Sequence, residues 1–156
     1  MKSKIKHYFK EIISFIVMLT ILLNAVSYYK SMDLNKINFD IENISLNNKP
    51  ILVHFWATWC PVCDVEAQNI QAISKSYNVL TIAVNSGNDD KINKYLAKNN
   101  LDFKVINDQN GFYSNKFNIK VFPTTLIYDK DKNLIFSEVG YTSTLGLQLR
   151  MWWASL

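Results

Sequence analysis

The sequence predicts an α/β domain that follows a single N-terminal membrane-spanning helix. Three features lead to this prediction: an uncharged run of 18 residues near the start, an order of strand–helix–strand–helix and then hairpin–helix in the remainder, and two cysteines three positions apart. Strands that alternate with helices indicate a sheet covered by helices on both faces. About 120 residues follow the apolar run, which is enough for one domain with its own core.

The N-terminal region has the charge distribution of a signal anchor. Residues 1–11 contain four lysines, and the uncharged run at 12–29 fits the ~17–25 residues of a spanning helix. Residues 1–11 are therefore predicted to be cytoplasmic, and the chain after the helix to lie outside the cytoplasm. A cleaved signal peptide is the alternative, because Ala25-Val26-Ser27 resembles a small-x-small cleavage site. The run exceeds the ~7–15 residues of a signal-peptide core, which favours an uncleaved anchor.

The net charge gives no indication of nucleic-acid binding. The whole chain carries +4, and residues 1–11 account for +3 of it, as four lysines less Glu11. Only +1 therefore remains for the rest of the chain. A nucleic-acid-binding domain would show a basic face of its own, and none is visible in this sequence.

After a polar linker at 30–36, residues 37–156 are predicted to form the domain. Apolar and polar residues alternate at 37–41, as in a half-buried edge strand, and 47–50 is a turn. Further strands are predicted at 51–56, 79–84, 103–106, 126–128 and 134–139, and helices at 64–77, at 111–117, at 143–155 and from an opening at 86–90.

The last predicted helix carries several large apolar residues. Leu145, Leu149 and Trp152 share one helical face, which is predicted to pack on the domain. Trp153 either meets a membrane interface or packs in the domain.

Cys60 and Cys63 lie at the start of the helix that follows the strand at 51–56. Pro61 suits the first helical turn, where its missing N–H would have no partner. Unpaired N–H groups and the helix dipole favour an anion there, and cysteines so placed have pKa values lowered to roughly 3.5–7.5. Cys60 is therefore predicted to be the exposed nucleophile. Cys63 follows one turn later, on the same face, and is predicted to resolve a mixed disulfide.

The sequence around the two cysteines does not favour a zinc site or haem attachment. A zinc site usually needs four ligands, and haem attachment needs a histidine directly after the second cysteine, where Asp64 stands. No metal or other cofactor is predicted beyond the redox-active disulfide itself. Two alternatives stay open: a Cu(I)-binding module that uses Cys60, Cys63 and His54, and a tethered interaction domain whose cysteines stay paired.

Two stretches of the sequence resemble a known family. The segment VHFWATWCPVC at 53–63 resembles the strand-to-helix junction of thioredoxin-like proteins, and Phe122-Pro123-Thr124-Thr125 resembles the cis-proline loop of that fold. Together with Glu66 and the ending Gly140-Tyr141-Thr142-Ser143, the sequence of these two segments is similar to that of the membrane-anchored TlpA-like branch. Within that branch it is similar to disulfide oxidoreductases of the suppressor-of-copper-sensitivity D type. The resemblance covers about Asn35 to Ala154.

The resemblance implies a thioredoxin-like fold with a central mixed sheet, and thiol–disulfide exchange as the activity. It implies that Pro123 is cis and lies against the cysteines, and that the backbone at Phe122 pairs with the substrate chain. Glu66 would assist proton transfer, the alternative being exposed helix surface. Thioredoxins have a buried aspartate where His54 stands. His54 either accepts a proton from Cys63 or is a packed, hydrogen-bonded side chain.

The resemblance also implies the partners and the location. Trp59 and Pro61 would shape the substrate-binding surface around Cys60, and Trp56 either joins them or packs in the core. A reducing role is implied on the periplasmic side of a bacterial inner membrane, with a membrane thiol reductase as electron donor. Candidate substrates are copper-stress proteins and apocytochrome c. The Pro61-Val62 dipeptide between the cysteines tunes the redox potential, but its sequence gives no value for that potential. An oxidising role therefore remains the alternative.

Overall fold

The computed structural model describes residues 2–35, 37 and 49–156, with the side chains of 2–7 excepted. Apart from Ile37, the predicted edge strand at 37–41 lies outside the described residues, as does the first half of the turn at 47–50. The described elements are α1 Lys2–Ser31, β1 Ile51–Trp56, α2 Pro61–Ser74, β2 Asn78–Val84, α3 Asp89–Lys98, β3 Lys104–Asp108, α4 Phe112–Lys116, β4 Thr124–Tyr128, β5 Leu134–Val139 and α5 Thr144–Ala154.

The five strands within the described residues form one mixed sheet in the order β3-β2-β1-β4-β5. β1, β2 and β3 are parallel, whereas β4 runs antiparallel to both β1 and β5. This confirms the predicted parallel pair and the predicted hairpin. β1 lies at the centre with all six residues buried, as expected for an apolar run covered on both faces.

Two apolar clusters lie on opposite faces of the sheet. The first, beneath α2, α3 and α5, contains Leu52, Trp56, both cysteines, Ile70, Ile92, Leu147 and Met151, among others. The second, on the face that carries α4, contains Leu34, Phe55, Ile82, Phe117, Ile119 and Val139, among others. Trp56 therefore packs in the core, and the site forms where β1 ends above the first cluster.

The predicted packing face of α5 is wrong. Leu145, Leu149 and Trp152 are 66%, 57% and 55% exposed. The buried residues are Leu147, Met151 and Ala154, and they pack towards α2 and β4. Both sets of three have the same spacing, four and then three residues, so helical periodicity alone did not distinguish them. Packing against α2 decided between the two faces.

The end of α1 packs against the domain. The side chains from Tyr8 to Val26 are all exposed, and Tyr8–Ser31 is long and apolar enough to cross a membrane. Ser27 is half-buried, and its Oγ accepts a hydrogen bond from the N–H of Val139 on β5 at 2.9 Å. Ser31 and Leu34 are buried, so the predicted linker packs against the domain at these two positions.

Candidate active site

Cys60 occupies the N-cap position of α2, as predicted. Its backbone is extended, with φ −96° and ψ 109°, and Pro61 begins the helix. The Sγ of Cys60 accepts a hydrogen bond from the N–H of Cys63 at 3.2 Å, as an N-cap oxygen does at other helices. The structure holds the two cysteines as a disulfide, with Cα atoms 5.3 Å apart. The sulfur of Cys60 therefore sits where helix N–H groups stabilise a negative charge.

The expected exposure of Cys60 is wrong for the disulfide form. Cys60 is 6% exposed and Cys63 is 2% exposed, so both are buried, in the predicted order of access. The reason is that both side chains belong to the apolar cluster beneath α2, against which Phe122 also packs. An incoming thiol or disulfide has to reach Cys60 through the rim formed by its neighbours.

Trp59 and Phe122 form much of this rim. Trp59 is 57% exposed, and its ring meets the Phe122 ring edge to face, with centroids 5.7 Å apart. The indole Nε1 donates a hydrogen bond to the carbonyl oxygen of Asn85 at 3.1 Å. The Trp59 ring is thereby fixed beside Cys60 rather than free to rotate. Trp59 therefore contacts the loop before β4 through Phe122, which also packs against the cluster that contains both cysteines.

The loop before β4 is held from both ends. The Phe122–Pro123 peptide bond is cis, which confirms that expectation. The N–H of Gly140 donates to the carbonyl oxygen of Pro123 at 2.8 Å, and Thr124 Oγ1 donates to the carbonyl oxygen of Val121 at 2.7 Å. Gly140 has φ 99°, a conformation that glycine adopts without steric cost. The chain after β5 is therefore the support of the proline loop.

Glu66 is fully buried one turn beyond Cys63, so the reading of exposed helix surface is wrong. Its Oε1 accepts a hydrogen bond from the N–H of Thr142 at 3.1 Å, and its Oε2 has no hydrogen-bond partner among the described residues. Burial raises the pKa of Glu66 to about 8; the Thr142 bond opposes this shift, and the charge of Glu138 adds to it. Glu66 is therefore mostly protonated at pH 7.

His54 is buried on β1, opposite Thr125 of β4. Its Nδ1 lies 2.9 Å from Thr125 Oγ1, and burial lowers the pKa of the imidazole to about 3, so His54 is neutral at pH 7. With Cys63 and Ala67 it lines a narrow space between β1 and α2, too small for a water molecule. The structure thus bears out the packed, hydrogen-bonded reading and also places His54 next to Cys63.

Two residues near the site were not singled out from the sequence. Glu138 on β5 accepts a hydrogen bond from Arg150 Nε at 2.7 Å and another from Ser27 Oγ at 3.3 Å. Thr142 supplies the N–H that holds Glu66. Thr142 stood within the ending quoted for the resemblance, but Glu138 left no signal beyond being a polar residue in a short strand.

The metal-binding alternative requires a cluster of ligands. Across residues 2–35, 37 and 49–156, no group of three or more His, Cys, Asp or Glu side chains is placed to hold a metal ion. His54 and Cys63 line the same space. In the disulfide form, however, Cys60 Sγ is bonded to Cys63 Sγ and accepts a hydrogen bond from the Cys63 N–H, so the two sulfurs are not metal ligands in this form.

A thioredoxin-like α/β fold with a C-x-x-C disulfide at a helix start defines a class of protein, the thiol–disulfide oxidoreductases. The chain belongs to the Redoxin family, whose pattern matches residues 23–146. The match begins within α1 and ends in α5, so it spans the whole described sheet.

Individual relatives agree with the class. A thioredoxin-like protein of Haemophilus influenzae is 32% identical over 98% of this chain and 96% of its own length. The sporulation thiol-disulfide oxidoreductase A of Bacillus subtilis is 28% identical over 64% of this chain and 66% of its own. A solved secreted disulfide oxidoreductase of Mycobacterium tuberculosis, described as homologous to E. coli DsbE, superposes with a TM-score of 0.59 at 26% identity, covering 67% of this chain and 81% of that one.

Proposed function

We propose that the protein is a membrane-anchored, extracytoplasmic thiol–disulfide oxidoreductase that reduces disulfides of periplasmic proteins. One observation carries the chemistry: a disulfide at the start of α2 with a buried, protonated carboxyl group one turn behind it. Cys60 is the nucleophile, Cys63 the resolving thiol and Glu66 the proton carrier.

In the proposed reaction, the Cys60 thiolate attacks one sulfur of a substrate disulfide. That bond breaks, the released substrate sulfur takes a proton, and a mixed disulfide with Cys60 forms. Cys63 gives its proton to Glu66, which is ionised because it has protonated Cys63 during recharging, and attacks the Cys60 sulfur. The second substrate sulfur leaves as a thiolate and takes a proton. The substrate disulfide has gained two electrons, and Cys60 and Cys63 have lost two.

Recharging runs the same steps in reverse. A dithiol donor attacks the Cys60 sulfur, and Cys63 leaves as a thiolate that takes the proton of Glu66. A carboxyl group with a pKa near 8 suits both directions, because general acid–base catalysis is most effective when the pKa lies near the working pH. His54, neutral and next to Cys63, is the second candidate to exchange a proton with it.

Substrate binding is proposed at the rim of the site. The backbone beside Phe122 would pair with the substrate chain as an added strand, and Trp59 and Pro61 would bound the groove. Oxidised copper-stress proteins and apocytochrome c are the substrates that the resemblance suggests. The membrane donor would be a thiol reductase within reach of an anchored domain.

Trapping of mixed disulfides tests the exchange reaction. A Cys63→Ala variant is expected to accumulate mixed disulfides with other proteins through Cys60, and the matched Cys60→Ala variant to accumulate none. If the Cys63→Ala variant traps nothing and the wild-type domain binds Cu(I) tightly through both thiols, the Cu(I)-binding module is the better account.

Two features of α1 support a retained anchor with the domain outside the cytoplasm. The lysines at its start fit the positive-inside rule, and Ser27, the last residue of the small-x-small sequence at 25–27, contacts the domain through Val139 and Glu138. A reporter that works only outside the cytoplasm is expected to be active when joined after Asn35. Recovery of the native protein in a salt-washed soluble fraction would contradict the anchor.

The reducing direction makes its own prediction. With its membrane donor intact, the Cys60–Cys63 pair should be mostly reduced in living cells, because a reductase must hold electrons ready for its substrates. Thiol trapping on acid-quenched cells measures this state directly. A pair found almost wholly oxidised would assign the protein to the oxidising direction.

A further inference from the structure

Glu138 of β5 lies on the same face of the sheet as the dithiol. In the strand register it is opposite Thr125 of β4, and Thr125 is opposite His54 of β1. Residues directly opposite each other in antiparallel strands point to the same face. The Glu138 side chain is therefore on the face that carries α2 and α5, two strands away from His54.

Two donors from separate elements hold the Glu138 carboxylate. The Nε of Arg150 on α5 donates to Oε1 at 2.7 Å, and the Oγ of Ser27 at the end of α1 donates to Oε2 at 3.3 Å. The Nη1 of Arg150 also donates to the carbonyl oxygen of Gly146 at 3.0 Å, which fixes the guanidinium along α5. The side chains of Arg150 and Glu138 are only 23% and 16% exposed, so salt and solvent screen these two charges in part.

The chain that follows Glu138 leads directly to Glu66. Thr142, four residues later, donates its N–H to Glu66 Oε1 at 3.1 Å, and Glu66 Oε2 has no hydrogen-bond partner among the described residues. Burial is the largest cause of the raised pKa of Glu66, and the negative charge of Glu138 adds to it. A nearby like charge disfavours the ionised carboxylate, so Glu138 acts to keep Glu66 protonated.

The elements around α2 carry few other charges, within the part of the chain that the structure describes. Arg150 is the one charged residue of α5, and β2 has none. His54, the titratable residue of β1, is neutral at pH 7. On α2 itself, Cys63 is held in the disulfide and Asp64 is exposed, and Tyr141 after β5 is also exposed. The ion pair of Glu138 with Arg150 is therefore the charged group that these elements place towards Glu66.

We propose that Glu138 is a positioning residue for proton transfer at the dithiol: its carboxylate, held by Arg150, keeps the proton on Glu66 until the Cys63 thiolate takes it. This inference rests on the proposed role of Glu66 as proton carrier. Without the negative charge, Glu66 would ionise at lower pH and would have no proton for Cys63 when the disulfide is reduced. Arg150 works in the opposite sense, because its cation offsets part of the Glu138 charge.

Two substitutions that change this ion pair in opposite ways test the proposal. Glu138→Gln removes the negative charge but keeps an oxygen for Arg150 Nε, so Glu66 should lose its proton at a lower pH. Arg150→Gln leaves Glu138 without its cation, so Glu66 should lose its proton at a higher pH. We expect each shift to be about one pH unit, because a neighbouring charge moves a carboxyl pKa by roughly 1–3 units. Arg150→Lys keeps the cation and should restore the wild-type midpoint.

Infrared titration of the oxidised full-length chain measures the proton on Glu66 itself. The band of its protonated carboxyl group is the one that Glu66→Gln lacks, and the disulfide keeps both cysteines out of the titration. The second readout is the pH profile of disulfide reduction by dithiothreitol, with rates expressed per reductant thiolate. Its fall at alkaline pH should move with the infrared midpoint in each variant. A merely structural ion pair would lower stability in both variants without moving the two midpoints apart.

The two readouts separate this inference from the proposed function. Infrared midpoints that stay unmoved, or that move in the same direction in Glu138→Gln and Arg150→Gln, would overturn the role of Glu138 and leave that of Glu66 standing. Midpoints that move apart, while Glu66→Gln reduces as fast as the wild type, would uphold the control of Glu66 by the ion pair and contradict the proton-carrier role. If Glu138→Gln does not fold, Arg150→Gln decides alone, and an unchanged or lower midpoint overturns the inference.

Discussion

Glu66, one turn beyond Cys63 on α2, and His54, which lines the same narrow space as Cys63, are both buried, yet burial shifts their pKa values in opposite directions. It raises the pKa of Glu66 to about 8 and lowers the pKa of His54 to about 3. Both groups are therefore neutral at pH 7, because burial always disfavours the charged form. Glu66 holds a proton that it releases near pH 8, whereas His54 accepts one only in strong acid.

The two side chains also differ in how fully they are hydrogen-bonded. His54 Nδ1 is bonded to Thr125, whereas Glu66 has one oxygen bonded to Thr142 and the other without a partner among the described residues. A group that is fully packed and far from its titration range serves structure, and one that titrates near the working pH serves proton transfer. We therefore expect Glu66, rather than His54, to transfer protons to and from Cys63.

Of the substitutions that test this difference, Glu66→Gln should have the largest effect on the rate of disulfide reduction. The amide keeps an acceptor for the N–H of Thr142 but carries no acidic proton for Cys63. We expect reduction of the Cys60–Cys63 disulfide by dithiothreitol to slow roughly 10²-fold, the lower end of general-acid contributions. Stopped-flow rates, expressed per reductant thiolate, measure this. In the wild type these rates should fall above pH 8, and the variant should lose that fall.

Two controls accompany this measurement. Asp64→Asn removes an exposed carboxylate next to Cys63 and should leave the rate unchanged. His54→Asn should change the rate only a few-fold if His54 is structural. A rate loss with His54→Asn as large as that with Glu66→Gln would reverse the comparison.

The pH dependence of stability should show two separate limbs. The pKa of Glu66 is raised from 4.5 to about 8 in the folded chain, so its stabilisation is complete below pH 4.5 and is lost as pH rises to about 8. The pKa of His54 is lowered from 6.5 to about 3, so its stabilisation is complete above pH 6.5 and is lost as pH falls to about 3. Between pH 4.5 and 6.5 the two slopes cancel.

Urea unfolding of the oxidised protein across pH 3–9 measures both limbs, each of the order of a few kcal/mol. Glu66→Gln should remove the alkaline limb alone, and His54→Asn the acid limb alone. If either variant kept the limb assigned to it, the assigned group would not be the cause.

Much of this site was predictable because its signals are local. The apolar run of β1, Pro61 after Cys60, and the resemblance around Pro123 specified the strand, the helix start and the loop. The protonation state of Glu66 was not predictable, since it depends first on burial and then on Thr142 and Glu138, more than 70 positions away. Only the folded chain brings those groups together.

The fold shows the same division. Parallel pairing of β1 and β2 follows from the helix between them, and the hairpin follows from its turn. The buried face of α5 was wrongly predicted, because Leu145 and Leu147 begin two apolar rows of equal spacing. The contact of Ser27 with β5 left no pattern in the sequence at all.

Thr125→Val should have the smallest effect, and it tests whether the role of His54 is structural. Valine keeps the shape of the side chain but leaves the imidazole Nδ1 without its 2.9 Å partner. An unsatisfied buried polar group costs roughly 1–3 kcal/mol, so the free energy of unfolding should fall by about that amount at pH 7. The disulfide reduction rate should stay unchanged. A rate loss without a stability loss would indicate that the Thr125–His54 pair acts in proton transfer.

Alkylation of the reduced protein across pH tests the central claim most directly, namely that Cys60 at the start of α2 is the nucleophile. Mass spectrometry of the labelled peptides assigns each adduct to one of the two thiols. We expect Cys60 to react first, with a midpoint below the pKa of about 8.5 of a free thiol, because the N–H of Cys63 and the helix dipole stabilise its thiolate. Faster labelling of Cys63 than of Cys60 would contradict the account.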